Sequence, residues 1–179
     1  EPVGALVREA WALGERARID PTLILAIVAV ESSFNPFAQS PMGAQGLMQV
    51  MTRVHDDKYE AFGGTHAAFD PITNLRVGVQ VLRECIARAG GVAEGLRFYV
   101  GAALLDSDGG YAAKVLAEQA HMRNVAEGRH VPVNATNNAP PSAREAAVPP
   151  GELPGALPLP AAAPASMPRS QPEQVALAR

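Results

Sequence analysis

The chain has a single cysteine, Cys85, among its 179 residues, so it can form no internal disulfide, and its fold must rest on packing. Spaced with Gly78, Val81, Leu82 and Ile86, Cys85 falls on the apolar stripe of a helix and reads as a small buried hydrophobe rather than a reactive thiol. No lysine or arginine cluster stands out and the formal net charge is −3, which removes the electrostatic reason to expect nucleic acid or an anionic membrane surface. Long apolar runs are also missing. The longest, "LILAIVAV", falls far short of the roughly 18 to 20 residues a membrane span needs, so no span is expected and the chain as given is read as soluble. A basic n-region and an apolar signal core are lacking too, but the chain starts at Glu1 without a methionine, so this absence carries no information on compartment. His55, His66, His121 and His130 lack metal-ligand spacing, and no metal or cofactor is expected. No alternating pattern supports a strand, and no internal repeat is found.

What is there is enough for one core: 47% of residues are hydrophobic and 18% charged. The composition changes near Val131. Five of the 16 prolines precede it and eleven follow, in a segment otherwise rich in alanine and small polar residues. Such a segment builds no core, so residues 131–179 read as a disordered low-complexity tail, with a protein partner for its proline motifs as the less frequent meaning.

Residues 1–130 read as a helical domain. "VGALVREAWALGERARI" spaces Leu6, Ala10 or Trp11, and Leu13 or Ala17 on one helix face. Asp20-Pro21 supplies an N-cap and a first-turn proline for a second helix, whose residues Leu23 to Val30 are apolar all round and therefore surrounded by other elements. Asn35-Pro36 is expected to end it. "SPMGAQG" reads as a turn into a short element around Leu47 to Val54, while no role is assigned to "VHDDKYEAFGG". Asp70-Pro71 repeats the cap-plus-proline signature before a long helix that a glycine pair terminates. "VAEGLRFYVGAALL" and "GGYAAKVLAEQAHMRNVAEG" give two more helical segments, and "DSDGG" between them reads as a capping turn rather than a calcium loop, because Gly110 and Ala117 stand where oxygen ligands belong. The fold class expected is all-α.

One residue breaks the apolar second helix. Glu31 shares a face with Ile24, Ile27 and Val28, so its carboxylate would sit against hydrocarbon. Desolvation raises a carboxyl pKa, and an acid that keeps its proton near neutral pH is what cleavage of a glycosidic bond requires.

The surrounding residues sharpen this reading. "ESSFNPFAQSPMGAQGLMQVM", Glu31 to Met51, resembles the signature of the soluble lytic transglycosylase (SLT) family through Glu31-Ser32, Asn35-Pro36, Ser40, Gly43-Ala44 and Gly46-Leu47-Met48-Gln49, in that order. "FDPITNLRVGVQVL" resembles the family's Asp-Pro-x-x-Asn helix, and the likeness runs from about Ala5 to Leu116. The resemblance implies a goose-type lysozyme-like helical fold, peptidoglycan glycan strands as substrate and the periplasm or cell envelope as location. It implies Glu31 as the single acid and base that cuts between N-acetylmuramic acid and N-acetylglucosamine, closing a 1,6-anhydro ring without water. Ser40 and Gln49 would be polar contacts to the cleaved sugar, Met51 an apolar wall, and Tyr99 the tyrosine whose hydroxyl reaches the catalytic carboxyl. Val100 departs from the family pattern, which has an asparagine there. The rival readings are a hydrolase of the same fold using a second carboxylate such as Asp70, and a glycan-binding component of a wall-spanning apparatus with weakened catalysis.

Overall fold

A computed structural model describes residues 2–129, which form six α-helices, a 3-10 turn and a minimal hairpin. The expected tail, 131–179, the boundary at residue 130 and His130 lie outside the described residues. Helix α1, Pro2–Ala17, buries Leu6 and Ala10, while Trp11 remains 46% exposed. A four-residue step from Leu6 lands on Ala10, and Trp11 lies a further 100° round the helix. Glu9 on the same helix accepts from Arg76 at 2.7 Å, tying α1 to a later helix.

Helix α2, Pro21–Ser32, is the central element. Leu23, Ile24, Ala26, Ile27 and Val28 are all buried, as a helix apolar on every side requires. Asp20 caps its start by accepting from the Thr22 backbone N–H at 2.9 Å and the Thr22 hydroxyl at 2.6 Å. The helix stops at Ser32, earlier than Asn35-Pro36: Ser33 turns left-handed at φ 50° with its N–H on the Ala29 carbonyl, and Phe34 follows at φ 64°. Asn35 shapes the turn beyond the helix instead, its side-chain oxygen accepting from Phe37 N–H at 3.0 Å.

Two strands of two residues each, β1 (Ala44–Gln45) and β2 (Val50–Met51), pair antiparallel with Ala44 opposite Met51. Elements this short carry no alternation, which is why the sequence reading contained only helices. The loop between them is fixed from below. Gly46 has φ +77°, and a Cβ there would lie 2.2 Å from the Ala68 carbonyl oxygen and 2.4 Å from Nδ2 of Asn74. The short helix α3, Asp56–Glu60, lies in the stretch that had no assigned role, and it exists to bury Tyr59 completely.

Asp70 caps helix α4, Pro71–Ala89, by accepting from Thr73 N–H at 2.7 Å, and Gly90 closes it at φ 78°. Cys85 on this helix is buried, and burial pushes its thiol up to about 11. Helix α5, Val92–Tyr99, ends at Val100, short of the whole helical run that was expected. Helix α6, Tyr111–Ala126, follows the "DSDGG" turn. Asp108 accepts there from Gly110 N–H at 2.9 Å and Ala112 N–H at 2.8 Å, so the segment acts as a cap. Helix α2 packs on α1 and α6, and α4 packs on α1 and α5.

Candidate active site

Helices α2 and α6 run antiparallel and meet at both ends. At one end Asp20 accepts from Arg123 Nε at 2.9 Å and Nη2 at 2.5 Å. At the other, the hydroxyl of Tyr111, first residue of α6, donates to Oε1 of Glu31 at 2.5 Å. Glu31 retains some solvent contact, but its carboxyl lies among protein atoms, and desolvation raises it to about 7 against the smaller opposing effects of Tyr111 and Lys114. A carboxyl raised that far retains protonated molecules near neutral pH. It can give a proton and take one back under the same conditions.

Tyr99 does not hold Glu31. Its hydroxyl donates to the Met48 carbonyl at 2.8 Å, and Tyr111 takes the role that resemblance put on Tyr99. The reason is topological: α5 ends against the hairpin loop, whereas the first turn of α6 is what faces the C-terminal end of α2. Tyr99 is nevertheless close enough for the Glu31 charge to help push its phenol up, after burial, which is the larger cause. Tyr111 was legible in the sequence only as the residue after a double glycine. Nothing local marked it as the partner of a residue 80 positions earlier.

The hairpin loop carries the other candidates. Gln49, left-handed at φ 46°, donates through Nε2 to the Ala38 and Gly46 carbonyls at 3.0 Å each, so its nitrogen holds the turn and its amide oxygen is the end available to a ligand. Ser40 accepts from Ala44 N–H at 3.0 Å and is a turn residue, with its hydroxyl hydrogen left to donate. Met51 lines a small cleft of about 40 Å³ together with Gln49, Val50, His55, Val81 and Tyr99. Burial and the charge of Lys58 together lower the pKa of His55.

Asn74, from the Asp-Pro-x-x-Asn segment, is what keeps this loop in place. Fully buried, it accepts from Met48 N–H at 2.8 Å and donates to the Gln45 carbonyl at 2.9 Å and the Tyr59 hydroxyl at 3.1 Å. The buried amide thereby satisfies two backbone groups of the loop leading into Gln49. Asp70, the proposed second carboxylate, caps α4. A larger cavity of about 250 Å³ lies at the Asp20 end of α2, lined by Leu23, Ile86, Val92 and Arg123 among others, and contains none of the candidate residues. Among the described residues no His/Cys/Asp/Glu cluster could hold a metal, and no helix is long and apolar enough to cross a membrane.

Comparison with known proteins bears on the domain as a whole. Residues 10–106 match the family described as the Transglycosylase SLT domain. A transglycosylase of Enterobacteria phage PRD1 is 40% identical over 83 residues, covering 46% of this chain and 29% of the phage protein. Membrane-bound lytic murein transglycosylase C of Haemophilus influenzae (strain PittGG) is also 40% identical over 83 residues, with 43% and 22% covered. The same-named protein of Edwardsiella ictaluri (strain 93-146) is 45% identical over 74 residues, with 38% and 21% covered. The chain thus spans between 21% and 29% of the length of these relatives.

Proposed function

The chain belongs to the Transglycosylase SLT domain family, and from that premise we propose that it is a peptidoglycan lytic transglycosylase. The single observation carrying the proposal is Glu31, a carboxyl raised to about 7 at the end of a buried helix and held by a phenol donor. In the proposed reaction Glu31 gives its proton to the oxygen bridging N-acetylmuramic acid and N-acetylglucosamine as that bond breaks. Glu31, now a carboxylate, removes the proton from the muramoyl 6-hydroxyl while that oxygen bonds to the anomeric carbon. The proton count closes, water is not consumed, and the product carries a 1,6-anhydro end. The substrate's own N-acetyl group assists at the oxocarbenium-like centre, so no second carboxylate is needed.

The supporting roles divide by what each group has left to offer. The amide oxygen of Gln49 and the hydroxyl hydrogen of Ser40 contact the sugar, and Met51 forms the apolar wall. Tyr99 holds the loop through Met48, while Tyr111 orients the acid. Capping by Asp70 argues against the water-using hydrolase that would recruit it. The substrate would place the protein in the periplasm or cell envelope, in keeping with the names of the relatives.

Val100 supports a second reading, a glycan binder with reduced turnover. Where the family has an amide, this chain has an isopropyl group closing α5, and loss of one polar contact to a buried ligand costs roughly 1 to 3 kcal/mol. Digestion of purified sacculi by the native chain and by Glu31→Gln, with mass analysis of the released ends, tests both. The enzyme reading expects 1,6-anhydro ends from the native chain alone. Equal turbidity loss with both proteins would falsify it, and binding without any release would favour the second reading.

A further inference from the structure

We propose that Phe37 and Phe69 form a sugar-stacking platform that extends the Glu31 site along the glycan, an inference that rests on the glycan reading above. Phe37 is 71% exposed, an apolar ring displayed to water on a fixed turn. It stacks on Phe69 with ring centroids 6.4 Å apart and planes inclined by 30°. Both rings are built into the frame that holds Gln49. Phe37 N–H donates to Asn35 Oδ1 at 3.0 Å, and the carbonyl of the next residue, Ala38, accepts from Gly46 N–H at 2.9 Å and Gln49 Nε2 at 3.0 Å. Phe69 follows Ala68, whose carbonyl oxygen abuts the α-carbon of Gly46 so closely that no Cβ fits. Each ring is therefore one residue from backbone locked around Gly46.

The occupant follows from two further observations. The cleft beside Gln49 and Met51, about 40 Å³, is too small to enclose a sugar ring, so a polymeric glycan has to extend beyond it. The chain leaves α2 immediately after Glu31 and displays Phe34, 41% exposed, then Phe37, then Met42, 46% exposed, with the polar residues Asn35 and Gln39 exposed between them. A pyranose offers a face of weakly positive C–H groups that complements the negative face of an aromatic ring, while its hydroxyl and acetamido groups stay hydrated. Exposed rings interleaved with amides suit that mixed character.

The test measures binding of purified sacculi and of a disaccharide fragment in the Glu31→Gln background, where nothing is cleaved. Phe37→Ala is expected to weaken sacculus binding about fivefold, as loss of one aromatic contact would, and to leave disaccharide binding unchanged. Phe37→Trp retains the affinity and Phe37→Leu loses it as alanine does. In the cleaving protein, Phe37→Ala raises KM with little change in kcat. Unchanged sacculus affinity in Phe37→Ala, full affinity in Phe37→Leu, or a native dimer in sedimentation that Phe37→Ala disperses would each overturn the platform. Loss of Glu31-dependent release with the Phe37 binding effect intact removes the catalytic reading and leaves the platform standing. Failure of the native fold to bind sacculi removes both. Thermal melting by circular dichroism verifies that the variants are folded.

Discussion

Helix α2 carries a carboxyl at each end, and the two have opposite fates. Asp20 and Glu31 both meet α6, the first through Arg123 and the second through Tyr111. Asp20 is held below the usual carboxylate range even though burial opposes it, because Thr22 and Arg123 donate to its charged form. Glu31 is pushed up to about 7 because burial dominates and its partners are a phenol and a more distant ammonium. Helix dipoles do not decide the matter. The helices are antiparallel, so at each end the partial charge of one terminus is offset by the other. What differs is the partner and the access of water. A guanidinium in a partly open setting stabilises an anion, whereas a phenol in a crowded one orients an acid without supplying a full charge.

The largest way to break this contrast is to remove the acid. Glu31→Gln is expected to cut release of glycan ends by about 10² to 10⁴, the range for a positioned general acid, measured on sacculi at pH 6. The same variant sharpens the comparison in a stability measurement. Between pH 4.5 and about 7 the folded protein holds a proton on Glu31 that the unfolded chain has released, so native stability declines as pH rises through that window. Glu31→Gln lacks this decline. It should match the native protein near pH 4 and exceed it above pH 7, by at most about 3 kcal/mol, in urea unfolding.

Tyr111→Phe tests the partner. The hydroxyl favours the ionised form of Glu31, so its removal moves the alkaline limb of the pH–rate profile upward, and loss of orientation lowers kcat by about tenfold. A profile that moves downward would contradict the assignment. At the opposite end, Arg123→Ala is expected to cost about 1 kcal/mol or less, since both side chains are partly exposed, and to leave the pH–rate profile in place. Its stability loss should appear above the ordinary carboxylate range and vanish as acid protonates Asp20. Lys114→Ala gives the smallest change, a slight upward displacement of the Glu31 limb, which added salt reproduces in the native protein.

The sequence could be read furthest where the cause was local. The two Asp-Pro caps, the glycine stop at Gly90, the Asp108 turn and the burial of Cys85 each depend on neighbours within a turn or two, and each is found. Where it misread or left the matter open, the cause was distant. Trp11 competed with Ala10 for the core until the packing of α1 on its neighbours excluded the larger ring. "VHDDKYEAFGG" had no assigned role because Tyr59 is fixed by burial in the core and by Asn74, 15 residues on. Resemblance named a tyrosine for Glu31, but the one that arrives is Tyr111, since the order of helices, not the spacing within one, determines which hydroxyl comes within 2.5 Å.

By itself the sequence determined the largely helical character of residues 2–129, where α2 and α4 begin and where α4 ends, and the presence of a carboxyl on an apolar face at position 31. These follow from periodicity and capping, which act over a few residues. Only the tertiary structure decided that this carboxyl meets Tyr111, that Tyr99 and Asn74 brace the Gln49 loop, and that Phe37 lies against Phe69. The partners in those contacts lie between 26 and 80 residues apart in the chain, and hydrogen-bond direction and desolvation depend on distances in space that no local pattern encodes.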